Sequence, residues 1–217
     1  MTLSGLIQDA ARGVFPAADG GWRRVAPWRP GLEAIVAFTG HAALAIADDV
    51  TDARLARLGV NGYGGAHDPR VVAELAGPGG WIDSLDLIMV RPGMGGPPQL
   101  VPPRLVQRPD LAGHPRVGFS RAVRDDPRIW GYPDTDCTSL VVISTGIAGL
   151  TEIGFELDER LRGRGAGTAL VDDALTVIPA DRLVVAAVAP GNAASVRVLA
   201  RTGFRPIGSV QLFRRAG

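Results

Sequence analysis

The stretch Thr151 to Thr168, TEIGFELDERLRGRGAGT, holds the residues whose types and spacing point most directly to chemistry. Its first part reads as a strand, and the arginine–glycine run after Leu161 reads as a tight turn that opens a helix. Such a turn aims successive backbone N–H groups at one point, and the helix behind it adds the positive end of its dipole. Together they bind an anion, most often a phosphate. Glycine suits the turn because a side chain would block the ligand or forbid positive φ. A Walker-type loop needs a lysine after its last glycine, and this chain has no lysine. A dinucleotide fingerprint needs a third glycine where Thr168 stands and an acid about 20 residues later, where Leu183 to Ala189 is wholly apolar. Just before the turn, Glu152 and Glu156 are four residues apart on one strand. A period of two puts both side chains on one face unless a bulge intervenes. Each is either a proton acceptor for an incoming ammonium or a surface carboxylate paired with arginine.

The elements that must position these groups follow from pattern. Thr138 to Ser144 and Ile147 to Leu157 read as strands joined near Thr145-Gly146, and Gly165 to Ile178 reads as a helix ended by Pro179. Leu183 to Ala189 is a fully apolar strand, which belongs at the centre of a sheet. Pro190-Gly191-Asn192 turns into a last helix, with Gly203 in the left-handed C-cap position and Phe204 as its apolar contact. Arg205 to Phe213 is a final strand. Upstream, His114 to Val123 reads as a helix and Arg128 to Tyr132 as a short strand.

A second block, LVVAAVAPGNAASVRVLARTGFRPIG from Leu183 to Gly208, extends the pattern of the first. Arg162-x-x-Gly165-x-Gly167 after an apolar strand, followed by Asn192-x-x-Ser195 and Gly203-Phe204 in this order and spacing, resembles the GNAT superfamily of N-acetyltransferases. The resemblance covers about the last half of the chain. It implies an α/β fold with a mixed, largely antiparallel sheet flanked by helices, of the acyl-CoA N-acyltransferase type. It implies that Arg162, Gly163, Arg164, Gly165, Ala166, Gly167 and Thr168 wrap the pyrophosphate of acetyl-CoA, mainly through backbone N–H groups. It implies further that the backbone of Phe155, Glu156 and Leu157 pairs with the pantetheine arm, and that Asn192 and Ser195 lie near it. Asn192 reads equally as a simple helix cap. Glu152 lies near the position of a general base in some members, so Glu152 or Glu156 is a candidate for that role. Arg197 and Arg201, one turn apart, read either as contacts to the 3′-phosphate of CoA or as a solvated face. The departure is Leu199, where many members carry a tyrosine that protonates the leaving thiolate. The implied activity is acetyl transfer from acetyl-CoA to a small-molecule or peptide amine by direct attack. The alternative is a non-catalytic acyl-CoA-binding or interaction module.

The remaining features narrow the class. The 217 residues are long enough for one large or two small domains, and a 46% hydrophobic fraction supports a core. No apolar run is long enough to span a membrane, and the first residues lack the basic flank and long apolar run of a secretory signal. A single cysteine, Cys137, allows no internal disulfide and fits a reducing cytoplasm. A net charge of +1 gives no general attraction to nucleic acid. No histidine follows Cys137 in the sequence, and no run has metal-ligand spacing. The Pro- and Gly-dense stretch 91–104 suggests a boundary between a segment 1–104 and an acetyltransferase domain 105–217. Residues 1–31 read as irregular, with Trp22 and Trp28 either walling a cleft or anchoring a loop. Leu32 to Ile46 reads as two strands turning near Thr39-Gly40, with His41 as a surface histidine. Helices are expected at Thr51 to Leu58 and from Asp68-Pro69 to the GPGG at 77–80, and a buried strand at Ser84 to Val90. This N-terminal order suits either a degenerate copy of the C-terminal fold or an extension of its sheet, covering the acceptor end of the cleft.

Overall fold

The computed structural model describes residues 1–96 and 104–216. Half of the expected boundary stretch 91–104, residues 97–103, lies outside the described residues. The chain forms two compact units, Met1–Ile88 with Pro206–Gly217 and Met89–Arg205. The helices are α1 (Leu3–Ala11), α2 (Asp52–Arg57), α3 (Pro69–Ala76), α4 (Pro115–Val123), α5 (Ala166–Thr176) and α6 (Ala193–Arg201). The strands are β1 (Trp22–Val25), β2 (Glu33–Phe38), β3 (His41–Ala45), β4 (Trp81–Pro92), β5 (Val106–Gln107), β6 (Asp125–Gly131), β7 (Leu140–Thr145), β8 (Thr151–Glu156), β9 (Leu183–Val188) and β10 (Arg205–Arg214).

In the first unit, β1 runs parallel to β3, while β2 is antiparallel to both β3 and β10. Leu44, Ile46, Leu55, Val72, Leu75 and Phe213 gather into its core, with Trp22, the first residue of β1 and not a loop residue, packed against them. The helix starts follow the capping residues: Thr51 accepts from the N–H of Arg54, and Asp68 from that of Arg70 ahead of Pro69. Three expectations need correction here. Residues 1–31 are not all irregular, because Thr2 caps α1 and Leu3, Leu6, Ile7 and Ala10 bury one helical face. Strand β4 is longer than expected, and Trp81, Ile82 and Leu85 at its start are exposed. His41 is buried, not on the surface: its Nδ1 lies 3.0 Å from Asp19 Oδ1 and its Nε2 accepts from Arg23 Nε at 3.1 Å.

His67 in the same unit gives a pH prediction. Its Nε2 lies 3.1 Å from Ser209 Oγ, its Nδ1 is buried without a hydrogen bond, and desolvation pushes its pKa down from 6.5 to about 4. Between those values the unfolded chain binds a proton that the folded chain refuses, so stability falls as pH drops through this window. The loss amounts to at most about 3 kcal/mol. Urea midpoints at pH 7 and pH 4.5 should therefore fall further for the wild type than for His67→Gln. Equal falls would show that another group carries the acid sensitivity.

The second unit has the expected mixed sheet. Strands β5, β6, β7 and β8 pair antiparallel in succession, and β8 runs parallel to β9. Helix α4 packs on one face through Val117 against Ile129, Leu140 and Val142. Strand β6 starts earlier than the sequence suggests, through a bulge at Asp126, which has a φ of 50°. The expected long strand from Ile147 is shorter. Residues Ile147–Gly149 form a turn of 3₁₀ helix, with Ala148 and Gly149 at positive φ, and β8 begins only at Thr151. Among the described residues no helix is long and apolar enough to cross a membrane.

Candidate active site

The glycine turn has the backbone that its sequence implies. Gly163 has a φ of +76° and Gly165 a φ of +79°, and a side chain at either would meet nothing within 4 Å. These glycines therefore serve conformation and open approach rather than tight packing. Gly167 differs: a Cβ there would come 3.0 Å from Val198 and 3.1 Å from Leu157, so its bareness lets α5 sit close to both. Gly165 is the N-cap of α5 and supplies no side-chain acceptor; the Thr168 N–H donates to its carbonyl at 3.1 Å, which leaves the N–H groups of Ala166 and Gly167 for an anion.

Beside the turn two parallel strands part. β8 and β9 are registered at Thr151 with Val184 and at Glu152 with Val185, and no further pair follows. Beyond that point the end of β8 borders a cleft of about 590 Å³. Its lining includes Phe155, Glu156, Leu157, Arg162, Gly163, Gly165, Gly167, Thr168, Asn192 and Ser195. These come from a strand, a turn and two helices, and the fold brings them together. Arg164 and Ala166, both within the expected loop, do not line it. Arg116, Ala194, Arg197, Val198 and Arg201 complete the wall. Arg197 and Arg201 thus face the cleft. Arg116 is an addition that sequence reasoning placed on a helix without giving it a role.

The two glutamates share a strand face, as the period of two requires, but not an environment. Glu152 is 2% exposed. Its Oε1 lies 2.6 Å from Arg124 Nη2, and its Oε2 accepts from the N–H of Ile147 at 2.8 Å. It does not line the cleft and ties α4 and the Ile147–Gly149 turn to β8. Glu156 lines the cleft and is its only carboxylate among the described residues. Arg116 Nε stands 3.5 Å from its Oε2, and Arg162 Nη2 stands 4.0 Å from its Oε1. Neither contact has the length of a firm charged hydrogen bond, so both oxygens keep accepting capacity.

Asn192 caps α6: its Oδ1 accepts from the N–H of Ser195 at 3.1 Å. The cap uses only the oxygen, and the amide NH₂ stays available to a ligand in the cleft. Among the described residues no group of His, Cys, Asp and Glu is arranged to hold a metal ion.

The model of the acetyltransferase (GNAT) family matches residues 116–204, which contain β6–β9, α5, α6 and the glycine turn. The match covers about two fifths of the chain and makes this region similar to GNAT acetyltransferase domains. Solved structures with similarity to the chain include a GNAT-family acetyltransferase from Novosphingobium aromaticivorans, at 14% identity and a TM-score of 0.42, covering 64% of this chain and 69% of that one. A Drosophila protein matches at 15% identity and a TM-score of 0.44, covering 71% and 58%. A GNAT-family acetyltransferase from Colwellia psychrerythraea matches at 12% and 0.39, covering 63% and 57%. The chain thus spans under two thirds of the latter two. A search of curated proteins gave no match.

Within the matched region, Leu199 is buried at 1% exposure and presents nothing to the cleft. The phenol of Tyr132 donates to Asp173 Oδ2 at 2.9 Å, and desolvation with that carboxylate raises its pKa. Among the described residues no tyrosine lines the cleft.

Proposed function

We propose that the chain transfers an acetyl group from acetyl-CoA to a primary amine of a small molecule or peptide, in the cytoplasm, by direct attack with both substrates bound. The observation that carries this reading is the open glycine cradle lying in one cleft with the parted end of β8 and a single carboxylate. The cradle fits a pyrophosphate: it has positive-φ glycines with empty space above them, uncapped N–H groups, and Arg162, Arg197 and Arg201 around them. Bound acetyl-CoA supplies a thioester, at which a C–N bond to the amine forms as the C–S bond to the thiol breaks. The protein's share is to hold, orient and move a proton. Backbone groups of Phe155 to Leu157 offer strand-like pairing to an extended arm. The N–H groups at that edge favour negative charge developing on a carbonyl oxygen. Glu156, directly or through one water, takes the proton that the attacking amine loses. The departing thiolate takes a proton from solvent, since a thiol with a reference pKa of about 8.5 leaves with modest help.

Glu156→Gln should then lower kcat about 100-fold or more, while calorimetric affinity for acetyl-CoA changes by less than about threefold. An unchanged kcat would remove Glu156 from the chemistry. The second reading, a non-catalytic acyl-CoA-binding module, draws on Leu199 and the lack of a phenol in the cleft. Release of free thiol with a panel of amines separates the two: binding without release favours the module.

A further inference from the structure

Among the described residues the cleft carries four arginines, Arg116, Arg162, Arg197 and Arg201, against one carboxylate. Three come from the glycine turn and α6, and one of them, Arg162, also reaches Glu156 Oε1 at 4.0 Å. Arg162 opens the glycine turn, and Arg197 and Arg201 stand on α6. Arg116 has a different origin. It comes from the first turn of α4 and crosses bare Gly154, where a Cβ would lie 3.6 Å from Arg116 Cδ. Its backbone is fixed at both ends: the N–H donates to His114 Nδ1 at 3.1 Å, and the carbonyl accepts from Ser120 Oγ at 3.0 Å. Its side chain is under-used. The Nε–H is shielded from solvent and makes no hydrogen bond, with Glu156 Oε2 at 3.5 Å. The side chain as a whole is 35% exposed, so its outer N–H groups are reachable. Arg124, the next arginine on that face, is committed to Glu152. A guanidinium held in place, partly desolvated and short of acceptors is suited to fork-like recognition of a carboxylate.

We infer that Arg116 holds a carboxylate carried by the substrate at the acyl-transfer end of the cleft, so that the enzyme reads an acidic substrate there. This rests on the acyl-transfer reading proposed above. The same chemistry has two sources. One is the free carboxylate of an amino acid acceptor. The other is the distal carboxylate of a dicarboxylic acyl group on the CoA thioester. In either case Arg116 stands between the incoming carboxylate and Glu156 and screens their repulsion. A neutral substrate makes no use of the guanidinium.

The test compares matched substrates in the full chain. In the acceptor arm, amino acids are compared with their decarboxylated amines, using acetyl-CoA as donor and thiol release as readout. In the acyl arm, succinyl-CoA is compared with butyryl-CoA, both in turnover and by calorimetric binding without acceptor. In one arm the wild type should prefer the acidic member by ~10- to 100-fold, as one charge-assisted pair allows. In Arg116→Met that ratio should fall to near one, and Arg116→Lys should keep part of it. A merely structural role for Arg116 would lower both members alike and leave the ratio intact. That result, or a wild type with no preference in either arm, overturns the inference while leaving acyl transfer in place. Absence of both acyl-CoA binding and thiol release overturns it together with the proposed function.

Discussion

Glu152→Ala should cost about 3–5 kcal/mol of folding stability, the usual loss on breaking a buried ion pair from one side. Arg124 Nη2 lies 2.6 Å from Glu152 Oε1, with the two side chains 5% and 3% exposed. Removing the carboxylate strands a guanidinium whose Nε and Nη1 already have no hydrogen-bond partner and are shielded from solvent. It also orphans the N–H of Ile147, which donates to Glu152 Oε2 at 2.8 Å. An orphaned buried donor alone costs about 1–3 kcal/mol. The whole is a large share of the ~5–15 kcal/mol by which a domain is stable. The double variant Glu152→Met, Arg124→Met removes both charges at once and should recover most of the loss, since well-packed apolar replacements of buried pairs are often neutral. Urea denaturation of the two single variants and the double variant gives the coupling. A single variant with native stability and a kcat reduced by hundreds would reverse the assignment and make Glu152 a catalytic group.

This pair shows where sequence reading stops. The period of two correctly put Glu152 and Glu156 on one face. Depth along that face is a tertiary property. Arg124 at the end of α4 seals off Glu152, while Arg116 in its first turn stands beside a Glu156 that stays 36% exposed, and no local pattern encodes where a helix far upstream in the chain comes to rest. The same limit hid Arg116, whose place in the cleft depends on the docking of α4. It also hid the burial of His41, which looks like a hairpin-turn residue until Asp19 and Arg23 occupy both ring nitrogens. Signals that act through the local backbone were legible: Gly163, Gly165 and Gly203 at positive φ, Asp68-Pro69 and Asn192 as helix starts, and the apolar run of β9. Helix α1 was legible in principle, because Thr2 is a cap and Leu3, Leu6, Ile7 and Ala10 have helical spacing. The Gly- and Pro-rich residues after it drew the reading toward an irregular segment.

Gly165→Glu is expected to abolish acetyl-CoA binding, with an affinity loss of about 100-fold or more, while the fold survives. Two terms act on folding. The φ of +79° at Gly165 is one that a side chain resists, at about 1–2 kcal/mol. Against that, a Cβ there meets nothing within 4 Å, so no steric clash adds to it. The effect on the site is much larger. The new carboxylate projects from the N-terminus of α5 into the space proposed for the pyrophosphate. It occupies the first-turn N–H groups, which favour an anion of either kind, and repels the ligand's charge. Losing even two charge-assisted hydrogen bonds, at about 1.5–3 kcal/mol each, exceeds what a 100-fold change requires. Gly165→Asn separates conformation from charge, because asparagine tolerates the left-handed region and adds no charge. It should weaken binding only several-fold. Calorimetric titration of the wild type and both variants, with a denaturation curve for each, tests the assignment. Undiminished binding by a folded Gly165→Glu would show that the turn does not hold the phosphates and would remove the cofactor assignment at its base.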